Sequence, residues 1–241
     1  MNERQRQAIG ALLRQGAWFG GLPAALQDSI LRRAVLRTFA KGQIIQLEDG
    51  PSLGLIALLE GQVATLRHVS DGDPALVHVA GPGFWFGEIG VLLGDGTLVT
   101  AVARSSVKAL ILPKAEFDRI VADEPRYYPA FARIVFERYC LLLRFLAETL
   151  RLSPDSRLRL RLADLADALR TQTTMHDGQA VVLNLSQSEL AELIGLSRQK
   201  LNGRLRRLQE EGWIGLAPRR IRVLDPGGLR ATAAGGLSRE R

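Results

Sequence analysis

Between positions 197 and 222 the chain carries Arg198, Lys200, Arg204, Arg206, Arg207, Arg219, Arg220 and Arg222, opposed there only by Glu210 and Glu211. This one segment holds most of the formal net charge of +7. Local positive charge of this density suits a polyphosphate surface. Charge alone fits a solvated helix face equally well. The neighbouring residue types separate the two readings. Arginine and glutamine at the start of a helix, here Arg198 and Gln199, make paired hydrogen bonds to guanine and adenine edges in a major groove. Asn202 and Arg206 follow at helical spacing.

The flanking sequence predicts the elements that must hold these groups. Ser186-Gln187-Ser188-Glu189 has the spacing of a capping box, in which serine accepts from a backbone N–H and glutamate three residues on returns the bond. The helix it opens, SELAELI, is stopped by Gly195, and Ser197 can cap a second helix, RQKLNGRLRRLQEE, that ends at Gly212. Ala191 is small where two helices must approach closely, so the pair reads as a helix-turn-helix. Leu201, Leu205 and Leu208 give the second helix its buried face. Downstream, WIGLAPRRIRVL reads as a hairpin with Arg219 and Arg220 at its tip, which makes the unit a winged helix. The expected DNA-contacting set is Ser186, Ser188, Ser197, Arg198, Gln199, Lys200, Asn202, Gly203, Arg204, Arg206, Arg219 and Arg220. A purely structural helical domain is the competing reading.

A second stretch with chemical potential is FGEIGVLLGDGTLVTAVA, residues 86–103, a glycine-studded cradle with one carboxylate, Glu88, and no basic residue. It lies in a region, 34–113, of short apolar runs (VLRTF, QIIQL, LGLIALL, QVATLRHV, ALVHVA, ALIL) punctuated by glycine-rich turns. Many short strands at close spacing predict an antiparallel roll or barrel. Helices are expected at 3–14, 23–33 and 114–124. The fold class is therefore α+β, with an N-terminal jelly-roll barrel, a long helix and a C-terminal winged helix-turn-helix.

That long helix occupies 126–150, with Pro129 tolerated in its first turn. Tyr128, Ala132, Val135, Tyr139, Leu142, Leu146 and Thr149 alternate in steps of four and three, the pattern of a paired helix. Leu141, Leu143 and Phe145 suggest a second apolar face toward the barrel, so a homodimer is expected. Ser153 and Pro154 can cap and open the next helix, over 154–170. His176-Asp177-Gly178 reads as a turn, VVLNL as a strand, and the Gly/Ala-rich tail from Asp225 as disordered. Three segments are expected: 1–124 as the barrel unit (a sensor, by the resemblance given below), 125–152 as dimerisation helix and hinge, 153–241 as the winged helix.

Composition narrows the function classes. A single cysteine, Cys140, rules out a disulfide framework and any cysteine-rich metal cluster; the residue is expected to be an ordinary small hydrophobe rather than a redox link. His68, His78 and His176 stand apart, without paired metal-ligand spacing. Neither a nucleophile elbow nor a phosphate-binding loop is found, so no enzyme, metal or cofactor is expected. A barrel enzyme of the cupin kind would need clustered histidines. No apolar run reaches the roughly 18 residues that span a bilayer, and the charged N-terminus is unlike a signal peptide, which points to the cytoplasm.

By the order of these parts over residues 17–224, the chain resembles the bacterial regulators that include the cyclic-AMP receptor protein and the fumarate–nitrate reduction regulator. The most specific stretches are Gly87-Glu88-Ile89-Gly90 and Gly195 through Arg206. The resemblance implies that Arg198 and Gln199 touch base edges and that Ser197 meets phosphate. Gly203 matches a third base-contacting position, usually arginine in the best-known member, so the target sequence differs. Double-stranded DNA of roughly palindromic sequence, a second copy and RNA polymerase are the implied partners; the small-molecule effector is not identified. In members that bind cyclic nucleotides, the residue matching Glu88 holds the ribose and an arginine about nine residues later grips the phosphate. Here that register gives Thr97-Leu98, or Val99-Thr100 after a slip of two, and the adenine-contacting positions match Leu142 and Leu143. A buried phosphate without a guanidinium partner is costly, so no response to cyclic AMP is expected. Glu88 would then accept backbone N–H groups of the 94–96 loop; instead, the pocket, made apolar by Phe84, Trp85, Phe86 and the leucines, could take an uncharged or different small molecule, or no ligand at all. Two alternatives remain: a cyclic-nucleotide sensor with an unusual pocket, and an interaction scaffold whose winged helix docks protein.

Overall fold

A computed structural model describes residues 1–68, 73–94, 96–170 and 180–235. The chain divides into two compact units, Met1–Leu141 and Leu142–Arg241. The predicted turn at His176-Asp177-Gly178 lies outside the described residues.

In the first unit, α1 (Glu3–Leu13), α2 (Ala17–Gly20) and α3 (Ala24–Arg33) precede the strands β1 (Val35–Phe39), β2 (Ile44–Gln46), β3 (Leu55–Glu60), β4 (Val63–Arg67), β5 (Ala75–Ala80) and β6 (Trp85–Phe86). A short helix, α4 (Glu88–Leu93), interrupts them before β7 (Thr100–Ala103) and β8 (Val107–Leu112); α5 (Lys114–Asp123) and a single 3-10 turn follow. The strands form two four-stranded sheets, ordered β1-β8-β3-β6 and β2-β7-β4-β5. β3 and β8 show why their sequences read as nearly continuous apolar runs. Successive side chains point to opposite faces, and both faces are covered. Ile56, Leu58, Ala109 and Ile111 fill the space between the sheets with Ile45, Val63 and Ala101. Leu55, Ala57, Leu110 and Leu112 face outward into a second core shared with Leu26, Ile30, Phe117 and Phe131.

Trp85 belongs to this outer core, not to the pocket. Its ring stacks on Phe19 at 5.5 Å and meets Trp18 edge-on at 4.9 Å, because neighbouring residues of β6 face opposite ways and Phe86 takes the inner side.

The long helix α6 (Tyr128–Arg151) shows a different pair of faces from the one expected. Phe131 and Ile134 are buried and the Trp18 indole N–H donates to the Ala130 carbonyl at 2.7 Å, so the stripe 131–134–138 faces the barrel. Leu141 and Leu143, assigned to that role from sequence, are exposed. The two aromatic or branched residues of that stripe are enough to anchor it, whereas a count of leucines pointed elsewhere.

The second unit contains α7 (Pro154–Arg170), β9 (Val181–Leu183), α8 (Gln187–Ile194), α9 (Arg198–Glu210), β10 (Ile214–Ala217), β11 (Arg220–Val223) and α10 (Pro226–Gly235). Ser153 accepts from the Ser156 N–H at 3.2 Å and Pro154 opens α7. The strands form one sheet, ordered β10-β11-β9. The tail expected to be disordered is helical through Gly235. Asp225 accepts from the Gly228 N–H at 2.9 Å, Leu229 and Ala233 are buried, and Arg230 pairs with Asp164 at 3.0 Å and with Asp167. Two apolar residues four apart and a capping aspartate outweigh the poor helix propensity of the glycines.

Candidate nucleic-acid interface and remodelled cradle

The capping box predicted at α8 is complete: the Ser186 N–H donates to Glu189 Oε2 at 2.7 Å and the Glu189 N–H to Ser186 Oγ at 3.2 Å. Leu190, Ala191, Leu193 and Ile194 are buried. Gly195 turns the chain at φ +70°, a left-handed conformation that favours glycine. The Leu196 N–H then closes on the Ala191 carbonyl at 2.9 Å. Ser197 caps α9 through the Lys200 N–H, and Leu201, Leu205 and Leu208 hold the helix to its unit. This anchoring fixes which side faces out: Arg198, Gln199, Lys200, Gly203 and Arg206 are exposed, and Asn202 is half-buried.

One member of the expected set turns elsewhere. Arg204 Nε lies 2.9 Å from Asp155 at the start of α7, and its Nη1 donates to the Lys200 carbonyl at 3.0 Å. Arg207 reaches the same carboxylate at 3.9 Å. Among the described residues, no carboxylate lies within ion-pair distance of Arg198, Lys200, Arg206, Arg219, Arg220 or Arg222. The wing pairs Ala217 with Arg220 across the turn Pro218-Arg219, where Arg219 adopts φ +55°. Between this wing and the starts of α8 and α9 runs an open groove of about 470 Å³, bordered by Ser186, Ser188, Arg198, Arg219 and Arg220.

The cradle keeps its backbone form. Gly87 has φ +90°, and a Cβ there would sit 2.3 Å from the Gly54 carbonyl oxygen; one at Gly90 would sit 2.4 Å from Ser52 Cβ. Both glycines are therefore required by the fold whatever the cradle holds. Glu88 faces an arginine instead of the loop N–H groups expected: Arg138 Nε of α6 lies 3.8 Å from its carboxylate. The Arg138 guanidinium also donates to the Trp85 carbonyl at 2.7 Å and stacks over Phe84 at 4.0 Å. Burial pushes the Arg138 pKa below its ordinary value, opposed by the charges of Glu88 and Glu137. Sequence reading missed Arg138 because it lies fifty residues from Glu88. A signal was present: Arg138 continues the i, i+3, i+7 stripe of Phe131 and Ile134, where a charge demands a partner.

At the would-be phosphate register, the Thr97 hydroxyl donates to the Leu47 carbonyl, and Leu98 is half-exposed. Thr100 Oγ1 accepts from the Glu48 N–H at 3.0 Å. An arginine does reach this loop, Arg67 of β4, which donates to the Leu98 carbonyl and lies 3.5 Å from Glu48. Glu48 also accepts from His68, backbone N–H and ring Nδ1, each at 3.0 Å. Hydrogen bonds from His68, first its backbone N–H, hold the Glu48 carboxyl below the usual carboxylate range. Leu142 and Leu143 are exposed. His78 packs near Phe84, at 5.1 Å between rings. Among the described residues no cluster of metal-ligating side chains occurs, and no described helix is long and apolar enough to cross a membrane. Cys140 is exposed, against the expectation of a buried hydrophobe.

Residues 36–124 match the family model of the cyclic nucleotide-binding domain, and residues 140–232 that of the Crp-like helix-turn-helix domain. The chain belongs to the Crp/Fnr family of transcription regulators. A CRP-like cAMP-activated global transcriptional regulator of Mycobacterium tuberculosis is 26% identical over 216 residues, covering 89% of this chain and 94% of the relative. Among solved structures, a cyclic nucleotide binding protein of Ruegeria pomeroyi superposes with a TM-score of 0.70 at 21% identity, covering 95% and 98% of the two chains. The c-di-GMP responsive regulator CLP of Xanthomonas campestris does so at 0.66 and 20%, covering 84% and 100%. At these identities the structural matches show the Crp/Fnr architecture of sensor barrel, long helix and helix-turn-helix.

Proposed function

We propose that this Crp/Fnr-family protein is a homodimeric, sequence-specific DNA-binding regulator acting in the cytoplasm and not answering to cyclic AMP. The observation that carries the reading is the second unit's exposed basic surface. Arg198, Arg219 and Arg220 border a groove, Lys200, Arg206 and Arg222 are exposed on the same unit, and no carboxylate among the described residues pairs with any of the six. With α9 in a major groove, a phosphate strand would run between α9 and the wing. Arg198 and Gln199 at the start of α9 are placed for base edges.

Dimerisation is supported by the outer face of α6. Tyr128, Phe136, Tyr139, Leu142, Leu146 and Leu150 are 42% to 73% exposed, and their near-heptad spacing makes the stripe complementary to a second copy of itself. Two such readers, about 34 Å apart, would meet successive major grooves.

Loss of the cyclic-AMP response is supported by the chemistry at 97–100. Hydroxyls there are bonded within the chain, and Arg67, whose guanidinium reaches the Leu98 carbonyl, lies 3.5 Å from Glu48. A second reading, a sensor for a different small molecule, is favoured by Arg138, which puts a half-buried cation beside Glu88. Selection from random duplex DNA by the ligand-free protein at fixed moderate salt tests the main reading. A two-fold symmetric site, bound with an affinity that falls steeply as salt rises, is expected. Affinity insensitive to salt would instead support protein docking, and micromolar cyclic-AMP binding in a calorimetric titration would overturn the claim about the cradle.

A further inference from the structure

Besides the ridge opposite buried Leu201, Leu205 and Leu208, helix α9 has two flanks. At about 100° per residue, Arg198 and Asn202 lie on one of them, and Arg198 borders the groove shared with the wing. Lys200, Arg204 and Arg207 lie on the other. That second flank is met by a carboxylate. Asp155, in the first turn of α7, reaches Arg204 Nε at 2.9 Å and Arg207 Nη1 at 3.9 Å. Among the described residues it is the one acidic side chain within ion-pair distance of any cation on α9. Helix α7 does not need Asp155 as a cap, since Ser153 already accepts from the Ser156 N–H at 3.2 Å. Nor is the pairing complete. Arg204 Nε is buried yet makes no hydrogen bond, so its N–H lies beside the carboxylate without pointing at it. The Asp155 side chain is 44% exposed, open to an exchange of partners.

We propose that Asp155 is a built-in competitor of phosphate: it occupies Arg204 and Arg207 in the free protein, and a DNA phosphate must displace it before this flank of α9 engages. This rests on the DNA-binding reading above. A major groove has a phosphate backbone on either side, so a helix lying in it presents one flank to each. The wing flank offers Arg198, Arg219 and Arg220, which no carboxylate among the described residues pairs. The α7 flank offers two guanidiniums that are already engaged. Phosphate oxygens can take a guanidinium fork in aligned pairs, which the misaligned contact with Asp155 does not do, so the exchange has a gain. It also has a cost, because Asp155 is left unpaired and facing a like charge. The cost falls on all duplexes alike, since phosphates carry no base identity. Asp155 therefore sets affinity, not specificity.

The test is fluorescence anisotropy of the full-length protein on a labelled duplex of arbitrary sequence, at low and moderate salt, with thermal unfolding in parallel. Wild type, Asp155→Asn, Asp155→Glu, Arg204→Ala and the double variant Asp155→Asn with Arg204→Ala are compared. Asp155→Asn is expected to bind roughly tenfold more tightly at the lower salt, by freeing two arginines and removing a repelling charge. The gain should shrink as salt rises. Asp155→Glu keeps the charge and should bind within twofold of wild type. Arg204→Ala is expected to cost little in the wild type but most of the gain in the Asp155→Asn background. A carboxylate that only favours the N-terminus of α7 gives another result: Asp155→Asn melts lower and binds no more tightly. That outcome, or an Arg204→Ala cost equal in both backgrounds, overturns the inference alone. If neither wild type nor Asp155→Asn binds duplex at either salt, the DNA-binding reading fails and takes this inference with it.

Discussion

The wing carries a local misfit whose removal should separate stability from binding. Arg219 holds φ +55° at the second position of the two-residue turn between Ala217 and Arg220. A side chain in this left-handed region costs about 1–2 kcal/mol. Arg219→Gly removes that cost but gives the unfolded chain extra freedom worth about 0.4–1 kcal/mol. The net is a gain of roughly 0.5–1 kcal/mol, read as a Tm rise of about 2–6 °C for a unit of this size. Binding should move the opposite way. If the Arg219 guanidinium meets one phosphate, its loss lowers the slope of log K against log salt by about 0.9, which at 0.1 M salt corresponds to about eightfold in Kd. Circular-dichroism melting and fluorescence anisotropy on the selected duplex at four salt concentrations measure both. Arg219→Asn is the control, since asparagine tolerates the left-handed region and lacks the charge. A variant that melts lower than wild type, or one with an unchanged salt slope, refutes the reasoning.

Three further outcomes are expected. Ser186→Ala removes the hydroxyl that accepts from the Glu189 N–H at 3.2 Å, keeping the backbone half of the box, and should destabilise the protein by about 0.5–2 kcal/mol, whereas Ser186→Thr should melt close to wild type. Leu146→Glu puts a charge in the exposed α6 stripe; sedimentation equilibrium should show monomers, and a persistent dimer would place the interface elsewhere. The Glu48 carboxyl is held below its ordinary pKa by His68, so its contribution to stability is fully present above the unfolded carboxylate value and fades as pH falls through the depressed one. Amide NMR shifts of Thr97 and Thr100 followed down from pH 6 should therefore stay flat past the usual carboxylate midpoint, and Glu48→Gln should abolish any low-pH transition.

What the sequence makes legible is whatever depends on near neighbours. The Ser186–Glu189 box, the Gly195 turn and the Leu201–Leu205–Leu208 face are set by residues three or four apart, and each forms as its spacing predicts. Strand runs such as LIALL are equally readable, although the run alone does not say which of its two faces meets which core. The contacts that eluded sequence reading join distant positions. Arg138 meets Glu88 across fifty residues, and Arg204 turns to Asp155 across 49. In both cases an unremarkable charge acquires a partner through packing that the pattern does not encode. The tail fails for another reason: propensity argued against α10, but Leu229 and Ala233 had an apolar surface to cover. At the cradle, Thr97 and Leu98 are legible in sequence; that Arg67 stands near them shows only in space.

The aromatic packing around Trp85 gives the protein a built-in optical gauge. Of the three tryptophans, Trp18 and Trp85 lie with ring centroids 4.9 Å apart, close enough for their transitions to couple and give a strong near-ultraviolet dichroic signal. Trp18 is bonded to the Ala130 carbonyl of α6, and the carbonyl of Trp85 receives Arg138 from the same helix. Any shift of α6 against the barrel changes the angle or spacing of this pair and so its coupled band. Trp213, whose indole N–H donates to Glu211 at 3.1 Å in the other unit, stands outside that pair and registers events at the reader as ordinary fluorescence. One unlabelled protein therefore supplies two independent spectroscopic channels, one for the barrel unit and one for the helix-turn-helix unit.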